Sequence, residues 1–324
     1  MYNIPKGTKQ VRYNKREVLM KKVYKLTPSL KDNLWGGNRL RNYGKVSEAD
    51  RIAESWELSF VFGSEAKICD GRDLNKVFDR ETWGENCRNF DVFPTLTKFI
   101  DAKENLSVQV HPSDEYALLN EGQYGKTEMW YVVEAEKGAG LYMGLSRNCT
   151  ADEFAKKVEN GTVEELLSFK EVAPGDVFFI PAGTVHAIGA GVLIYEIQQN
   201  STLTYRLYDY MRRDKEGRLR ELHVDKAMKV SNLGVYSPAD NIEGAIIGKC
   251  KYFEVEKHSI SGEFELFVDN GSYLAISVVD GCGECDGESV SLGDTCFSPA
   301  GSGKILLKGD MTVLTVKTPK QENM

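Results

Sequence analysis

Gln109 and His111, two positions apart, with Glu128 and His186 farther along the chain, are residues of the types that bind a divalent metal. Imidazole nitrogens combined with a carboxylate and an amide oxygen suit zinc or another first-row divalent ion. The chain has four histidines, His111, His186, His223 and His258, so such a site would use half of them. A single histidine at a strand end is more often structural or solvated. The weight comes from convergence, because Gln109-x-His111 offers two donors on one strand face, Glu128 a carboxylate from the next strand, and His186 closes the set. Lys126 precedes Glu128 by two residues and shares its face at strand period. An inward lysine is costly unless it meets an anion. Lys126 thus reads as a contact for an anionic substrate, or as a proton-transfer group if desolvation lowers its pKa; the alternative is a rim lysine reaching out to water.

These side chains need strands to aim them. Residues 93–102 and 106–111 alternate at period two, which places Ser107, Gln109 and His111 on one face. Pro112 ends that strand, Ser113 can cap a helix over 114–120, and Gly122 stops it. Residues 127–133 read as the following strand. The helical signal is strongest over 150–168, where Thr150-x-x-Glu153 and Thr162-x-x-Glu165 have the capping-box pattern and Gly161 separates two helices. Strands resume at 177–180, 191–198 and 203–208, and short alternating strands with Gly/Asp turns are predicted from Tyr252 to Val316.

The block Gly175-Asp176-Val177-Phe178-Phe179-Ile180-Pro181-Ala182-Gly183-Thr184-Val185-His186 has a degenerate copy at Gly293-Asp294-Thr295-Cys296-Phe297-Ser298-Pro299-Ala300-Gly301-Ser302-Gly303-Lys304. Two copies of one turn unit imply two similar domains. The first copy resembles the second cupin motif, whose histidine binds a metal. The copy carries Lys304 in that slot, a poor ligand while protonated, so one half is expected to work and the other to be structural. The expected fold is mainly β: two cupin-type jelly-roll β-barrels with a small helical insertion near 150–168. The expected organisation is a flexible basic arm (1–21), a catalytic domain (22–240) and a degenerate C-terminal domain (241–324). Met20 is an alternative start, with 1–19 as an upstream remainder.

Composition narrows the class of partner. The 324 residues are 41% hydrophobic and 27% charged, with net charge −7, ordinary for a soluble globular protein of about two domains. The spread of acidic residues argues against nucleic acid, and no apolar run approaches a membrane span or a signal-peptide core. Seven cysteines at irregular spacing argue against a disulfide framework. A cytoplasmic protein acting on small molecules is expected. Cys282-Gly283-Glu284-Cys285 lacks a second pair and reads as part of a hairpin turn.

The blocks Leu106-Ser107-Val108-Gln109-Val110-His111-Pro112 and Gly125-Lys126-Thr127-Glu128-Met129-Trp130-Tyr131 resemble the signature of type I mannose-6-phosphate isomerases in their short bacterial form. So do Trp35-Gly36-Gly37, Glu54-Ser55-Trp56-Glu57, Phe93-Pro94 with Lys98, and Glu196-Ile197-Gln198-Gln199-Asn200-Ser201 running into Thr204-Tyr205-Arg206-Leu207-Tyr208-Asp209-Tyr210. The resemblance covers roughly residues 23 to 230. It implies one zinc ion on His111, Glu128 and His186 with Gln109 as fourth ligand, Arg206 and Lys126 as catalytic residues, and Lys98, Ser107 and Lys126 near the substrate. The implied reaction interconverts mannose 6-phosphate and fructose 6-phosphate through a cis-enediol(ate). Arg206 has a structural alternative, pairing with Asp209 or another carboxylate. Two other classes stay open: another metal-dependent cupin, an oxygenase or a different isomerase, and a non-enzymatic sugar-binding cupin. The scarcity of histidines weighs against the first, and the retained ligands and arginine against the second.

Overall fold

Alternation at period two decides how this chain layers. The computed structural model describes residues 21–214, 216–237 and 244–321. The expected basic arm, apart from Lys21, and the start at Met20 lie outside the described residues. Among those described, strands form three antiparallel sheets. A six-stranded sheet runs Val177–Ile180, Glu128–Ala135, Val192–Gln199, Thr95–Ala102, Glu54–Leu58, Ser29–Lys31. A five-stranded sheet runs Tyr205–Tyr208, Val108–Val110, His186–Ile188, Gly140–Leu145, Leu167–Glu171.

In the six-stranded sheet Ile100, Ala102, Trp130, Val132 and Ile194 point to one side and pack with Leu141, Met143 and Ile188 of the five-stranded sheet. Their sequence neighbours Phe99, Met129, Tyr131, Leu193 and Tyr195 point to the other side, where they meet Phe253, Tyr273, Phe297 and Leu314 of the C-terminal half. The outer face of the five-stranded sheet, with Val108, Val110, Ala187 and Leu207, packs against Phe154 and Ala227 from the helices Ala151–Glu159 and Val224–Val230. The space between the first two sheets is therefore apolar at one end. At the level of Lys98, Glu128 and Glu196 the same inward parity carries charged residues instead.

The third sheet has eight strands and holds most of the C-terminal half. Its strands Glu254–Val268 and Gly303–Lys317 are fifteen residues long, not the short strands expected. Glycines explain the difference. Gly262 faces Gly309, which faces Gly283 on its other side, and Gly262 and Gly309 have φ of 94° and 129°. A Cβ at Gly283 would fall 2.0 Å from the Lys308 carbonyl oxygen. Three strands can bend at this row without breaking, and residues on both sides of it (Ile260 and Val268, Ile305 and Val313) meet in one core.

The fold is mainly β, as expected; among the described residues the three sheets are open and packed together, and none closes into a barrel by hydrogen bonding. The N-terminal strand Tyr24–Thr27 pairs with Thr295–Ser298, tying the start of the chain into the C-terminal sheet. The internal repeat is real in geometry. Gly175 and Gly293 have φ of 95° and 93°, Gly183 and Gly301 of 88° and 80°. Asp176 and Asp294 each accept a hydrogen bond from the backbone N–H three residues earlier.

The helix Asp114–Glu121 is capped by Ser113 and ends at Gly122, as expected. Thr150 caps Ala151–Glu159, whereas Thr162 makes no side-chain cap and only a 3-10 turn, Val163–Leu166, follows. The second helix is missing because Leu167–Glu171 pairs with Gly140–Leu145 as a sheet edge. Cys282 is exposed and Cys285 buried. They end a strand that turns at Asp286 and Gly287 into Glu288–Ser291.

Candidate active site

His186 opens the strand His186–Ile188 and pairs in register with Gln109 of Val108–Val110. That pairing puts both side chains on the inward face of the five-stranded sheet, and alternation adds His111 and Ser107. Glu128 comes from the facing sheet, where it opens Glu128–Ala135. His111, Glu128 and His186 are buried and offer ligand atoms that all lie within 4.8 Å of one another. No other such group of His, Cys, Asp or Glu side chains occurs among the described residues.

Hydrogen bonding fixes which nitrogen each imidazole presents. His111 Nδ1 donates to the Leu203 carbonyl at 2.7 Å and His186 Nδ1 to the Thr184 carbonyl at 2.8 Å. Both Nε2 lone pairs are thereby turned inward, the arrangement that orients metal-binding histidines. His186 Nε2 lies 3.3 Å and His111 Nε2 3.7 Å from Glu128 oxygens. Glu128 Oε1 and His186 Nε2 are buried with no hydrogen-bond partner, while Glu128 Oε2 meets the Lys126 ammonium. Buried polar atoms without partners are rare; two that face each other beside the His111 ring fit a cation.

Electrostatics agree. Burial, reinforced by the Lys126 ammonium, pushes the His186 pKa down to about 4 and that of His111 well below its ordinary value. Both imidazoles are neutral at pH 7, the form that binds metal. In metal-free protein, NMR should show the His186 ring titrating near pH 4 with no transition between 6 and 7. A midpoint near 6.5 would mean that the ring is solvated and the site is not built as described.

Lys126 is buried, 6% exposed, which removes the rim alternative. Its ammonium lies in ion-pair contact with Glu128, 3.2 Å from His111 Nε2 and 3.3 Å from Glu196. Lys98, also buried, lies 3.2 Å from Glu196 and 3.3 Å from Glu54. Burial lowers the Lys98 pKa, but Glu196, Glu54 and Glu128 outweigh that and hold it above the usual lysine value. Burial, then repulsion from Glu196, raises the Glu128 pKa despite Lys126. Two ammonium groups and three carboxylates leave one excess negative charge, which a divalent ion would convert into one excess positive charge, suited to an anionic substrate.

Glu54 and Glu196 were given no role from the sequence. Glu196 was visible as an acid within the apolar run Val192–Gln199. Its Oε2 accepts from Trp130 Nε1 at 3.0 Å. Trp56 lies across both Lys31 and Lys98 and donates to Glu54 at 2.7 Å.

Arg206 pairs in register with Gln109 and so shares its face. It is partly buried, donates from Nη1 to the Glu221 carbonyl at 2.7 Å, and has a buried Nε with no partner. Asp209 is held instead by Arg212 at 2.6 Å and by Arg220, so the structural pairing considered for Arg206 is not what the fold uses. Ser107 is buried one residue before its strand. Lys304 is exposed and paired with Glu265 at 2.9 Å, directed to solvent.

Comparison with known proteins places this architecture. Residues 23–139 match the family model "Phosphomannose isomerase type I, catalytic domain", and residues 244–318 match "Mannose-6-phosphate isomerase, cupin domain". The chain is 38% identical over 301 residues to mannose-6-phosphate isomerase ManA of Bacillus subtilis, covering 87% of this chain and 94% of that one. It is 36% identical over 272 residues to a mannose-6-phosphate isomerase of Streptococcus mutans, covering 80% and 85%. The crystal structure of the mannose 6-phosphate isomerase from Bacillus subtilis superposes with a TM-score of 0.82 at 32% identity, covering 91% of this chain and 99% of that one.

Proposed function

Because this chain belongs to the type I mannose-6-phosphate isomerase family, we propose that it interconverts mannose 6-phosphate and fructose 6-phosphate at the His111, Glu128 and His186 centre. The observation that carries the reading is the buried His111, Glu128 and His186 cluster, with Glu128 Oε1 and His186 Nε2 unpartnered, beside the ammonium of Lys126. His111, Glu128 and His186 would hold one divalent ion, zinc by the nature of the donors, with Gln109 as the weakest, fourth ligand. Bound there, the ion would supply Lewis-acid stabilisation of sugar oxygens.

The residues of the chain do the rest. Aldose-ketose isomerisation removes a proton from C2 and returns it at C1 through a cis-enediol(ate), so negative charge develops on O1 and O2. Arg206, with its free Nε on the Gln109 side, stabilises that charge. Lys126, fixed between Glu128 and Glu196, presents a cation and a transferable proton to the same oxygens. Lys98 and Ser107 contact substrate hydroxyls. Residues 22–240 form the catalytic unit, and 241–324 a structural one that covers the back of the six-stranded sheet. Among the described residues no helix is long and apolar enough to cross a membrane, and we place the enzyme in the cytoplasm from its irregular cysteine spacing. The test is formation of fructose 6-phosphate from mannose 6-phosphate by metal-replete protein. Absence of turnover with metal bound would remove this reading.

A further inference from the structure

The reverse face of the six-stranded sheet carries a buried polar network that the reaction above does not use. Side chains alternate along Glu54–Leu58. Glu54 turns toward the metal-centre side, where it meets Lys98, whereas Ser55 and Glu57 turn toward the C-terminal half and are fully buried. Glu57 Oε1 accepts from Ser55 Oγ at 2.6 Å and pairs with the Lys45 ammonium at 2.7 Å. Lys45, 6% exposed, also donates to the Gly293 carbonyl at 2.7 Å. Burial raises the Glu57 pKa against the opposing pull of Lys45, Ser55 and the Thr295 hydroxyl. Thr295 and Ser277 share a hydrogen bond of 2.8 Å, and Ser277 and the Tyr195 hydroxyl one of 2.5 Å. Thr97 accepts from the Leu58 N–H at 3.3 Å and lies within hydrogen-bonding reach of Tyr195.

Every member of this network on the six-stranded sheet adjoins a residue of the candidate active site. Ser55 and Glu57 flank Trp56, and Ser55 follows Glu54; Thr97 precedes Lys98, and Tyr195 precedes Glu196. Lys98 is in register with Trp56 on one side and Glu196 on the other, so the network backs a continuous row across three strands. Its anchors in the C-terminal half belong to the degenerate repeat. Gly293 opens that copy at φ 93°, a conformation natural to glycine, and Thr295 pairs in register with Ser277. The copy whose histidine slot holds Lys304 thus grips the sheet that carries Glu54, Lys98 and Glu196.

Stability alone does not account for this network. A buried ion pair can often be replaced by apolar side chains of similar volume with no loss, and apolar packing fills the rest of the interface, from Phe99 and Leu193 to Phe297 and Leu314. A satisfied polar network instead fixes one geometry, and small displacements of reacting groups are costly to turnover. We propose that Lys45 and Glu57, with Thr295 and Ser277, are positioning residues that hold Glu54, Lys98 and Glu196 in place from behind, which makes the C-terminal half necessary for catalysis as well as for packing. The inference rests on the isomerase reading above and goes beyond it in residues that face away from the substrate.

Two indoles report on the far side of the sheet independently of turnover: Trp56 Nε1 donates to Glu54 at 2.7 Å and Trp130 Nε1 to Glu196 at 3.0 Å. The test is NMR of the four indole N–H groups in full-length, zinc-loaded protein, beside steady-state kinetics and thermal melts. Lys45→Met combined with Glu57→Gln removes both charges at nearly constant shape. Both reporter resonances should move, kcat should fall roughly tenfold and KM should change by less than about twofold, with metal content unaltered. Thr295→Val, which loses only the hydroxyl, should move the same resonances and lower kcat about threefold; Thr295→Ser should restore both. That pair decides the matter if the double variant does not fold. Unmoved resonances and wild-type kcat in folded Thr295→Val or in the folded double variant, or a loss in Thr295→Val that Thr295→Ser fails to recover, would overturn the proposal. Wild-type protein that holds its metal and does not turn over would instead remove the isomerase reading, and the indole resonances would still decide whether the network positions Glu54 and Glu196.

Discussion

His186→Ala should abolish specific metal binding and, with it, turnover. His186 is fully buried and its Nε2 lies 3.3 Å from Glu128, so no water-exposed group can swing in to replace it. Loss of residues that merely orient a metal ligand costs roughly 10- to 100-fold in affinity, and loss of the ligand itself should exceed that. Gln109→Ala should cost less, because a neutral amide is the poorest donor of the four. The measurement is metal content by mass spectrometry of desalted protein, beside thermal melts that establish folding. Wild type should carry about one divalent ion per chain, Gln109→Ala a reduced amount, and folded His186→Ala close to none. Equal losses from the two substitutions would show that the ligands are wrongly ranked; full occupancy in His186→Ala would place the metal elsewhere.

Arg206→Ala should separate chemistry from metal binding. The guanidinium faces the Gln109 side of the pocket with a free Nε and forms no ion pair with Asp209. Its removal should take away stabilisation of charge that develops only during the reaction, lowering kcat by roughly 10²- to 10³-fold. Metal content should stay at the wild-type level. Arg206→Lys should regain part of the loss, since an ammonium is a point charge and cannot make the planar two-pronged contact of a guanidinium. Steady-state kinetics on metal-loaded variants decide the matter. A near-normal kcat in Arg206→Ala, or loss of its metal, would shift the catalytic role to Lys126.

How far the sequence carried this account varies with the physics involved. Strands with one polar and one apolar face were legible from alternation, as at Val108–Val110, where Gln109 lies between two core valines. The repeated turn was legible because glycine is needed twice in each copy at positive φ. Long-range geometry was not. The fifteen-residue strands were read as short ones because their glycines look like turns until Gly262, Gly309 and Gly283 are seen side by side. The pairing of Tyr24–Thr27 with Thr295–Ser298 joins the two ends of the chain, and no local pattern encodes it.

The candidate site divides in the same way. His111 and His186 were found because histidine is scarce in this chain and chemically specific, and Gln109 and Glu128 because strand spacing sets them beside those rings. Lys98, Ser107 and Arg206 owe their selection to family resemblance, and alternation with strand register now puts Gln109 and Arg206 on one face. Glu54 and Glu196 were missed as functional groups. A carboxylate in a strand reads as surface charge until its lysine partners are known to be buried beside it. Asp209 was read only as an alternative partner for Arg206; of its two actual arginines, Arg212 follows a turn whose left-handed residues, Tyr210 and Met211, carry no sequence signal, and Arg220 comes from farther along the chain.

The central claim is a metal-dependent isomerisation at one buried centre. It is tested most directly by following fructose 6-phosphate formation from mannose 6-phosphate in one protein sample, first metal-replete, then stripped by chelation, then reloaded with zinc. Turnover should be present, fall to background on stripping, and return with about one equivalent of zinc. Sustained turnover by protein verified to be metal-free, or none from protein verified to hold its metal, would contradict it.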